Sequence, residues 1–344
     1  MKKNKKMIQI FRAILIIASL FSLTFVPWIL VKAWIRPLPN TVQEQVQQAI
    51  DYGLDGMIVY VDQAGKPPAF YSGGYNNRDK KTPADPKSLF KIASITKLYV
   101  AVATAKLVKS KQLSLDKTLA DYFPELVGRI ENADKITLRM MVQHRSGIPD
   151  FTDNGYWANP LDNRAEKLEL VLDLPANFKP GKSYEYSNTN YLLISNLIDK
   201  VVGYPHQQYI KEQILIPLGL HNTFGSLNEV DLEKVMSGYY VGIENDLKTD
   251  NSGLMIATAE DVGKFIRALN DGSVFNKDER EIYETIYEFK HGGLIPGYQS
   301  LAEYHKEIDA VVVQFINTTD FEGYEWNLSQ IIYNRIVKII KKGE

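Results

Sequence analysis

The chain has 344 residues, of which 45% are hydrophobic and 24% charged, a composition typical of a folded protein with an ample core. Its formal net charge is −1, but residues 1–36 carry only basic charges, so the rest is acidic, which argues against a nucleic-acid partner. The sequence lacks cysteine, which excludes disulfides and a cysteine nucleophile, and its 5 histidines are scattered, so we expect neither a metal nor a cofactor.

The N-terminal region contains an uncharged apolar run over residues 13–31, preceded by basic residues. Such a run has the length of a membrane-spanning helix, and the preceding charges predict a cytoplasmic N-terminus. The alternative is a signal peptide cleaved near Ala33. We therefore expect a single-pass protein of the cell membrane with its catalytic domain outside the cytoplasm, or a secreted one. The predicted organisation is a tail and anchor over 1–36, a spacer over 37–44 and one domain over 45–344.

The rest of the chain predicts a mixed fold. An amphipathic helix is expected over 41–52, followed by strands over 56–61 and 69–75. Two more strands, over 301–305 and 310–317, precede a C-terminal helix over 326–340. Residues from about 88 to 270 have mainly helical patterns. The predicted class is α/β of the α+β type, with an antiparallel sheet from both chain ends, flanking helices and an inserted, mainly helical subdomain. Ligand sites tend to lie in clefts between such subdomains.

The first candidate motif is Ser94-Ile95-Thr96-Lys97, which opens a helical pattern. A serine and a lysine three residues apart share one helix face, so the lysine can approach the hydroxyl group. A desolvated lysine can act as a base, or remain charged and stabilise the alkoxide. On its own the tetrapeptide is common, and a serine there can be merely a helix cap.

The second motif is Tyr186-Ser187-Asn188, which follows a Pro-Gly turn. In an extended segment Tyr186 and Asn188 point to the same side. A phenol beside an ammonium group can shuttle a proton, and a carboxamide can hold a substrate amide. The alternative is a surface loop rich in tyrosine and asparagine.

The third motif, His291-Gly292-Gly293, precedes a predicted strand. Gly292 and Gly293 on an edge strand would allow a ligand to approach the backbone closely. The N–H of Leu294 could pair with that of Ser94 as an oxyanion hole, and His291 could donate to a substrate carboxylate. Taken alone, the motif also fits a simple hairpin turn.

Together, the three motifs give the chain a resemblance to the class C β-lactamase-like serine hydrolases. This family includes DD-peptidases, class C β-lactamases, D-amino-acid amidases and esterases, and teichoic-acid D-alanine esterases. The similarity extends over roughly residues 45–335, with further matching stretches at 137–150, 216–220 and 252–262.

The resemblance implies a role for each motif residue. Ser94 is then the acylated nucleophile, Lys97 assists its deprotonation, Tyr186 shuttles protons and Asn188 orients the substrate. His291 stands where many β-lactamases carry lysine, and histidine there is typical of the peptidase and esterase branches. By the same resemblance, residues His144 to Gly147 form a helix-ending turn.

The leading hypothesis is a hydrolase that forms an acyl-enzyme on a D-alanyl amide or ester of the cell envelope, as a DD-carboxypeptidase or a D-alanyl esterase does. β-Lactams are then possible covalent ligands. The alternatives are a class C-type β-lactamase and a catalytically silent penicillin-binding or sensory module. The sequence does not separate amidase from esterase, because the same acyl chemistry serves both.

Overall fold

A computed structural model describes residues 2–153, 155–250 and 253–343. The helices are α1 (Lys2–Ser22), α2 (Trp28–Ile35), α3 (Val42–Asp51), α4 (Thr96–Lys109), α5 (Leu119–Tyr122), α6 (Leu138–Val142), α7 (Arg164–Glu169), α8 (Asn188–Val202), α9 (His206–Ile210), α10 (Ala259–Asp271), α11 (Lys277–Glu284) and α12 (Glu325–Lys341). The strands are β1 (Gly56–Gln63), β2 (Ala69–Asn77), β3 (Thr82–Pro83), β4 (Phe90–Lys91), β5 (Thr223–Phe224), β6 (Tyr239–Tyr240), β7 (Ile256–Ala257), β8 (His291–Ile295), β9 (Tyr298–His305), β10 (Ala310–Ile316) and β11 (Thr318–Thr319).

The main sheet joins the two ends of the domain. Its six strands follow the order β3-β2-β1-β10-β9-β8, and every neighbouring pair is antiparallel. The central pair joins β1 near the start of the domain to β10 near its end, with Met57 opposite Ile316. This confirms the predicted antiparallel sheet. It also leaves β8, which carries the third motif, as an edge strand.

Alternating side chains of β1 divide the core in two, as the period of a strand requires. Ile58 and Tyr60 pack into the large core on the side of the helical subdomain. Met57 and Val59 pack into a second core beneath α3 and α12. Helices therefore cover both faces of the sheet, as the sequence predicts.

Helix α3 begins where its sequence predicts. The hydroxyl of Thr41 accepts the N–H of Glu44 at 3.1 Å, and the Glu44 carboxylate accepts the N–H of Thr41 at 3.3 Å, which forms a capping box. Val42 and Val46 on the same helix are fully buried against the sheet. Such a cap contributes about 1 kcal/mol to helix stability.

The N-terminal segment is bent. Within the described residues, no single helix is long and apolar enough to cross a bilayer, although the pieces Gln9–Phe25 and Trp28–Ile35, which meet at 78°, reach that length and hydropathy together. Helix α2 packs against α12, with Ala33 only 1% exposed. The guanidinium of Arg335 donates to the carbonyl oxygens of Arg36 and Pro37 at 2.7 and 2.9 Å. The membrane anchor remains a prediction.

Helix α4 forms the centre of the inserted subdomain. Ten consecutive residues, from Thr96 to Ala105, are buried, because α8, α9 and α11 contact it and α10 stacks Phe265 on its Tyr99. A small sheet of β4, β7 and β5 lies at its N-terminal end. A helix enclosed in this way is a rigid support for whatever stands at its first turn.

Candidate active site

Ser94 stands in a short 3-10 turn, Ala93–Ile95, between β4 and α4. Ala93 has a φ of 50°, a left-handed conformation that costs a non-glycine residue about 1 kcal/mol or more. The turn is held from both sides: the N–H of Ile92 donates to Met255 O at 3.1 Å, and Ser300 Oγ donates to Ile92 O at 3.0 Å. The packing thus fixes Ser94 at the positive end of α4, where developing negative charge is stabilised.

The hydroxyl of Ser94 is the meeting point of two partners. Lys97 Nζ donates to Ser94 Oγ at 3.1 Å, and Tyr186 Oη donates to the same atom at 2.7 Å. Lys97 is only 4% exposed, and its Nζ lies 4.8 Å from the centre of the Tyr186 ring. The first and second motifs are therefore in direct contact, although 92 residues separate Ser94 from Tyr186.

Asn188 continues this network away from Ser94. Its Oδ1 accepts Lys97 Nζ at 2.7 Å, while its Nδ2 donates to Asp150 Oδ2 at 2.9 Å and to Thr152 Oγ1 at 3.1 Å. Asp150 also accepts the N–H of Thr152 at 3.0 Å. The carboxylate thereby fixes which way the Asn188 amide faces. In this arrangement Asn188 orients the lysine, and both of its N–H groups are directed at protein acceptors rather than at the cleft.

His144 lies directly behind the catalytic tyrosine candidate. Its ring stacks on Tyr186 with centroids 4.5 Å apart and an interplanar angle of 24°, and its Nδ1 accepts the N–H of Ser187 at 3.1 Å. Burial, reinforced by the positive charge of Lys97, lowers the pKa of His144 from 6.5 to about 3. His144 is therefore an uncharged side chain whose packing and hydrogen bond position the 186–188 segment, consistent with the expected structural role.

The third motif closes the site from the edge of the sheet. A Cβ on Gly293 would lie 2.6 Å from Ile92 O and 2.8 Å from Ala93 Cβ, so only glycine allows β8 to approach the Ser94 turn this closely. A two-residue loop joins Ile295 to Tyr298, and in such a hairpin alternate residues direct their N–H groups away from the partner strand. Leu294 falls on an outward-facing position, on the side of the cleft. This arrangement suits the expected oxyanion hole.

Both ring nitrogens of His291 contact neighbouring groups of the protein. Its Nδ1 contacts Gly292 O, which can only accept, so Nδ1 carries the proton. Its Nε2 then accepts the hydroxyl of Tyr287 at 2.9 Å. Burial and the charge of Lys97 lower the pKa of His291 from 6.5 to about 4, so the ring is neutral. The expected donor from His291 to a substrate carboxylate is thus absent in this arrangement.

These residues border a cleft of about 1050 Å³ between the sheet and the helical subdomain. Six phenylalanine, tyrosine and tryptophan side chains line it, namely Phe151, Tyr156, Trp157, Tyr186, Phe321 and Trp326. At its base Lys91 Nζ donates to Leu247 O at 2.7 Å and to Asp250 O at 2.6 Å, and burial lowers the pKa of Lys91 to about 8. Lys91 thus holds the 247–250 segment, which lines one side of the cleft, by two hydrogen bonds. Within the described part of the chain, no three histidine or acidic side chains are placed to bind a metal ion.

The structure brings together all seven residues that the sequence singled out, namely Ser94, Lys97, Tyr186, Asn188, His291, Gly293 and Leu294. Sequence reasoning missed the parts played by Asp150 and Tyr287. No spacing rule connects the Asp150 carboxylate to an amide 38 positions away. Tyr287 precedes His291 by four residues but lies after the end of α11, so their spacing alone does not predict their contact.

Solved structures share this fold. The D-amino acid amidase of Ochrobactrum anthropi SV3, complexed with D-phenylalanine, superposes with a TM-score of 0.79 and 23% identity, over 89% of this chain and 99% of the amidase. A penicillin-binding protein of Bacillus halodurans superposes with a TM-score of 0.73 and 21% identity, over 88% of this chain and 99% of its own. At these identities the likeness concerns the fold.

Sequence comparison gives the family. Protein flp of Staphylococcus aureus strain MW2 is 29% identical over 199 residues, which are 56% of this chain and 40% of that protein, so the chain spans less than half of its length. The model of the Beta-lactamase family matches residues 38–285, well over half of the chain, and ends before the third motif. The chain is therefore a member of the Beta-lactamase family and belongs to its serine hydrolases.

Proposed function

We propose that this chain is a membrane-anchored hydrolase that acts outside the cytoplasm and forms an acyl-enzyme on a D-alanyl amide or ester of the cell envelope. The observation that carries the proposal is the convergence of Lys97 Nζ and Tyr186 Oη on Ser94 Oγ, at 3.1 and 2.7 Å. A serine hydroxyl with two proton-transfer partners, at a helix N-terminus, is equipped for nucleophilic attack.

The proposed reaction proceeds in two halves. In the first, Lys97 or Tyr186 has released one proton to solvent and takes the proton of Ser94 Oγ as that oxygen attacks the substrate carbonyl carbon. The bond from that carbon to the leaving oxygen or nitrogen then breaks, and Tyr186 returns the proton to the leaving atom. In the second half, Tyr186 accepts a proton from a water molecule, and the oxygen of that water attacks the acyl carbon. The bond to Ser94 then breaks, and the proton returns to Ser94 Oγ.

Two further observations support the D-alanyl assignment. The cleft around Ser94 has aromatic walls and room for an acyl group with a side chain. Two solved structures with this fold, a D-amino acid amidase and a D-stereospecific amidohydrolase of Streptomyces, carry names that describe action on D-configured substrates. The predicted location outside the cytoplasm would place this site beside the D-alanylated components of the envelope.

Stereoselective turnover tests the assignment. We expect the full chain to hydrolyse D-alanine methyl ester and D-alanine p-nitroanilide at least about tenfold faster than the L enantiomers. Ser94→Ala should abolish this turnover, whereas Ser110→Ala, at the other end of the same helical segment, serves as the matched control and should retain it. A folded sample that prefers the L enantiomers, or that hydrolyses neither, would contradict the proposal.

The anchoring part of the proposal rests on the exposed apolar surface of the N-terminal segment. Phe25 and Trp34 are 70% and 74% exposed, and apolar side chains such as Ile17 and Phe21 project from α1. In cells, we expect the chain to stay in the membrane fraction after alkaline extraction and to be digested by protease added outside. Release of a chain that begins after Ala33 would favour the cleaved signal peptide instead.

A further inference from the structure

The end of the active site that receives the leaving group can be located from the geometry. Leu294 presents its N–H where the substrate carbonyl oxygen would bind, and Tyr186 is the proton donor for the leaving atom. Tyr186 lies beside His291, with ring centroids 6.3 Å apart. His291 precedes Leu294 by three residues on β8. The leaving group is therefore expected beside His291 and Gly292.

The His291 side chain offers no positive charge or N–H group there. Its Nδ1 proton is directed at Gly292 O, and its Nε2 accepts the Tyr287 hydroxyl at 2.9 Å. Burial raises the pKa of Tyr287 well above 10, so the phenol keeps its proton and donates it to the ring. A neutral histidine has one donor and one acceptor, and here both are occupied by the protein.

Gly292 provides no hydroxyl either, because the space beside it is filled. A Cβ at Gly292 would lie 2.9 Å from the indole of Trp326 and 3.1 Å from a methyl of Leu301. Trp326 extends from the N-terminal end of α12 and lines the cleft. The surface next to the expected leaving group is therefore apolar at this position.

The charges on this side are predominantly negative. Behind Tyr186 and His291 lies a depression of about 380 Å³ whose charged lining consists of Glu288, Glu303 and Lys290. Lys290 is paired with Glu303 at 2.8 Å, which leaves the Glu288 carboxylate uncompensated within this lining. A leaving group that carries its own carboxylate would meet this Glu288 charge without a hydrogen-bond donor from His291, while the nearby Lys97 ammonium already donates to Ser94 Oγ and Asn188 Oδ1.

We propose that this site selects uncharged leaving groups, an alcohol or an amine released from a D-alanyl ester or amide, and rejects leaving groups that bear a carboxylate. Tyr287 is the positioning residue, because its hydroxyl occupies Nε2 of His291, the ring nitrogen that could otherwise donate to a leaving group. The inference rests on the proposed function and narrows it, because a DD-carboxypeptidase must accept a leaving D-alanine with a free carboxylate.

A matched pair of esters tests this inference in the full chain. The D-alanyl ester of glycolamide and the D-alanyl ester of glycolic acid differ only in a carboxamide against a carboxylate on the leaving alcohol. At neutral pH we expect kcat/KM to favour the glycolamide ester by about tenfold or more. His291→Lys, which introduces a permanent cation, should reduce this ratio by about tenfold. Equal rates, or a preference for the glycolic acid ester, would overturn the inference.

The role of Tyr287 has its own readout. Tyr287→Phe should free Nε2 of His291, which can then carry the ring proton and donate it to a carboxylate, so the ratio at neutral pH should fall by about threefold or more. In the matched control Tyr122→Phe, whose lost hydroxyl bonds to Ser114, the ratio should equal that of the wild type. A ratio in Tyr287→Phe equal to that of the wild type would overturn the positioning role.

Labelling of Ser94 distinguishes the two levels of failure. If a fluorophosphonate labels Ser94 and both esters are hydrolysed without preference, the leaving-group inference is wrong and the proposed function stands. If Ser94 is labelled but neither D-alanyl ester is hydrolysed, the D-alanyl function is wrong, and the inference that rests on it is withdrawn.

Discussion

Replacing His144 by asparagine should flatten the pH dependence of stability. The buried ring has a pKa of about 3 in the folded chain against 6.5 when unfolded, so the unfolded state binds the proton more tightly. Stability from this group is therefore fully present above pH 6.5 and is lost as the pH falls toward 3. Between pH 7 and pH 5 the loss amounts to about 2 kcal/mol, from 1.36 kcal/mol per pKa unit.

Asparagine is the informative replacement because it preserves two features of His144. Its Oδ1 can accept the N–H of Ser187 in place of Nδ1, and asparagine tolerates the left-handed φ of 55° found here. It removes the ring that stacks on Tyr186 and Tyr191, at a cost of about 2–4 kcal/mol at pH 7. It also removes the titrating group, so the variant should be less stable at neutral pH but less sensitive to acid.

Urea unfolding of the full chain in a mild nonionic detergent, followed by circular dichroism at pH 7 and pH 5, measures the effect. The wild type should lose about 2 kcal/mol more than His144→Asn over this interval. The exposed His221 gives a matched control, since His221→Asn should have the wild-type pH dependence. If wild type and His144→Asn lose the same free energy between the two pH values, the account of a buried neutral histidine is wrong.

Three further substitutions test other parts of the site. Asp150→Asn should lower kcat/KM about 10–100-fold with an unchanged circular dichroism spectrum, because the carboxylate that orients Asn188 is lost; unchanged kinetics would contradict this role. Gly293→Ala should cost about 1–3 kcal/mol and most of the activity, since its Cβ would lie 2.6 Å from Ile92 O; a stable, active variant would refute the close approach. Lys91→Met removes the donor to two loop carbonyls, so it should raise KM more than it lowers kcat. A KM equal to that of the wild type would contradict the role of Lys91 in holding this loop.

The fold could be predicted from the sequence wherever one element has a clear period and end signals. Helix α3, with its cap at Thr41, and the strands at both chain ends were predicted within a few residues of their observed bounds. The short strands β4 to β7 were not predicted. They contain only two residues each, too few to show a period, and they form because tertiary packing brings them together.

The candidate site could be predicted where chemistry depends on local spacing. Ser94 and Lys97 lie one helical turn apart, so their contact follows from the sequence alone. The pairing of Asp150 with Asn188 and of Tyr287 with His291 depends on how separate segments meet, and no pattern in the chain specifies it. His291 shows the consequence most clearly, because its expected role as a donor depended on a nitrogen that Tyr287 occupies.

The most direct test of the account is whether Ser94 is the acylated nucleophile. The full chain and Ser94→Ala should be treated with a fluorescent penicillin and with a fluorophosphonate, and the adducts weighed by intact mass spectrometry. The account predicts one adduct per chain that peptide mapping assigns to Ser94 and that is absent from Ser94→Ala. Labelling of another residue, or the absence of any adduct in a folded wild-type sample, would contradict it.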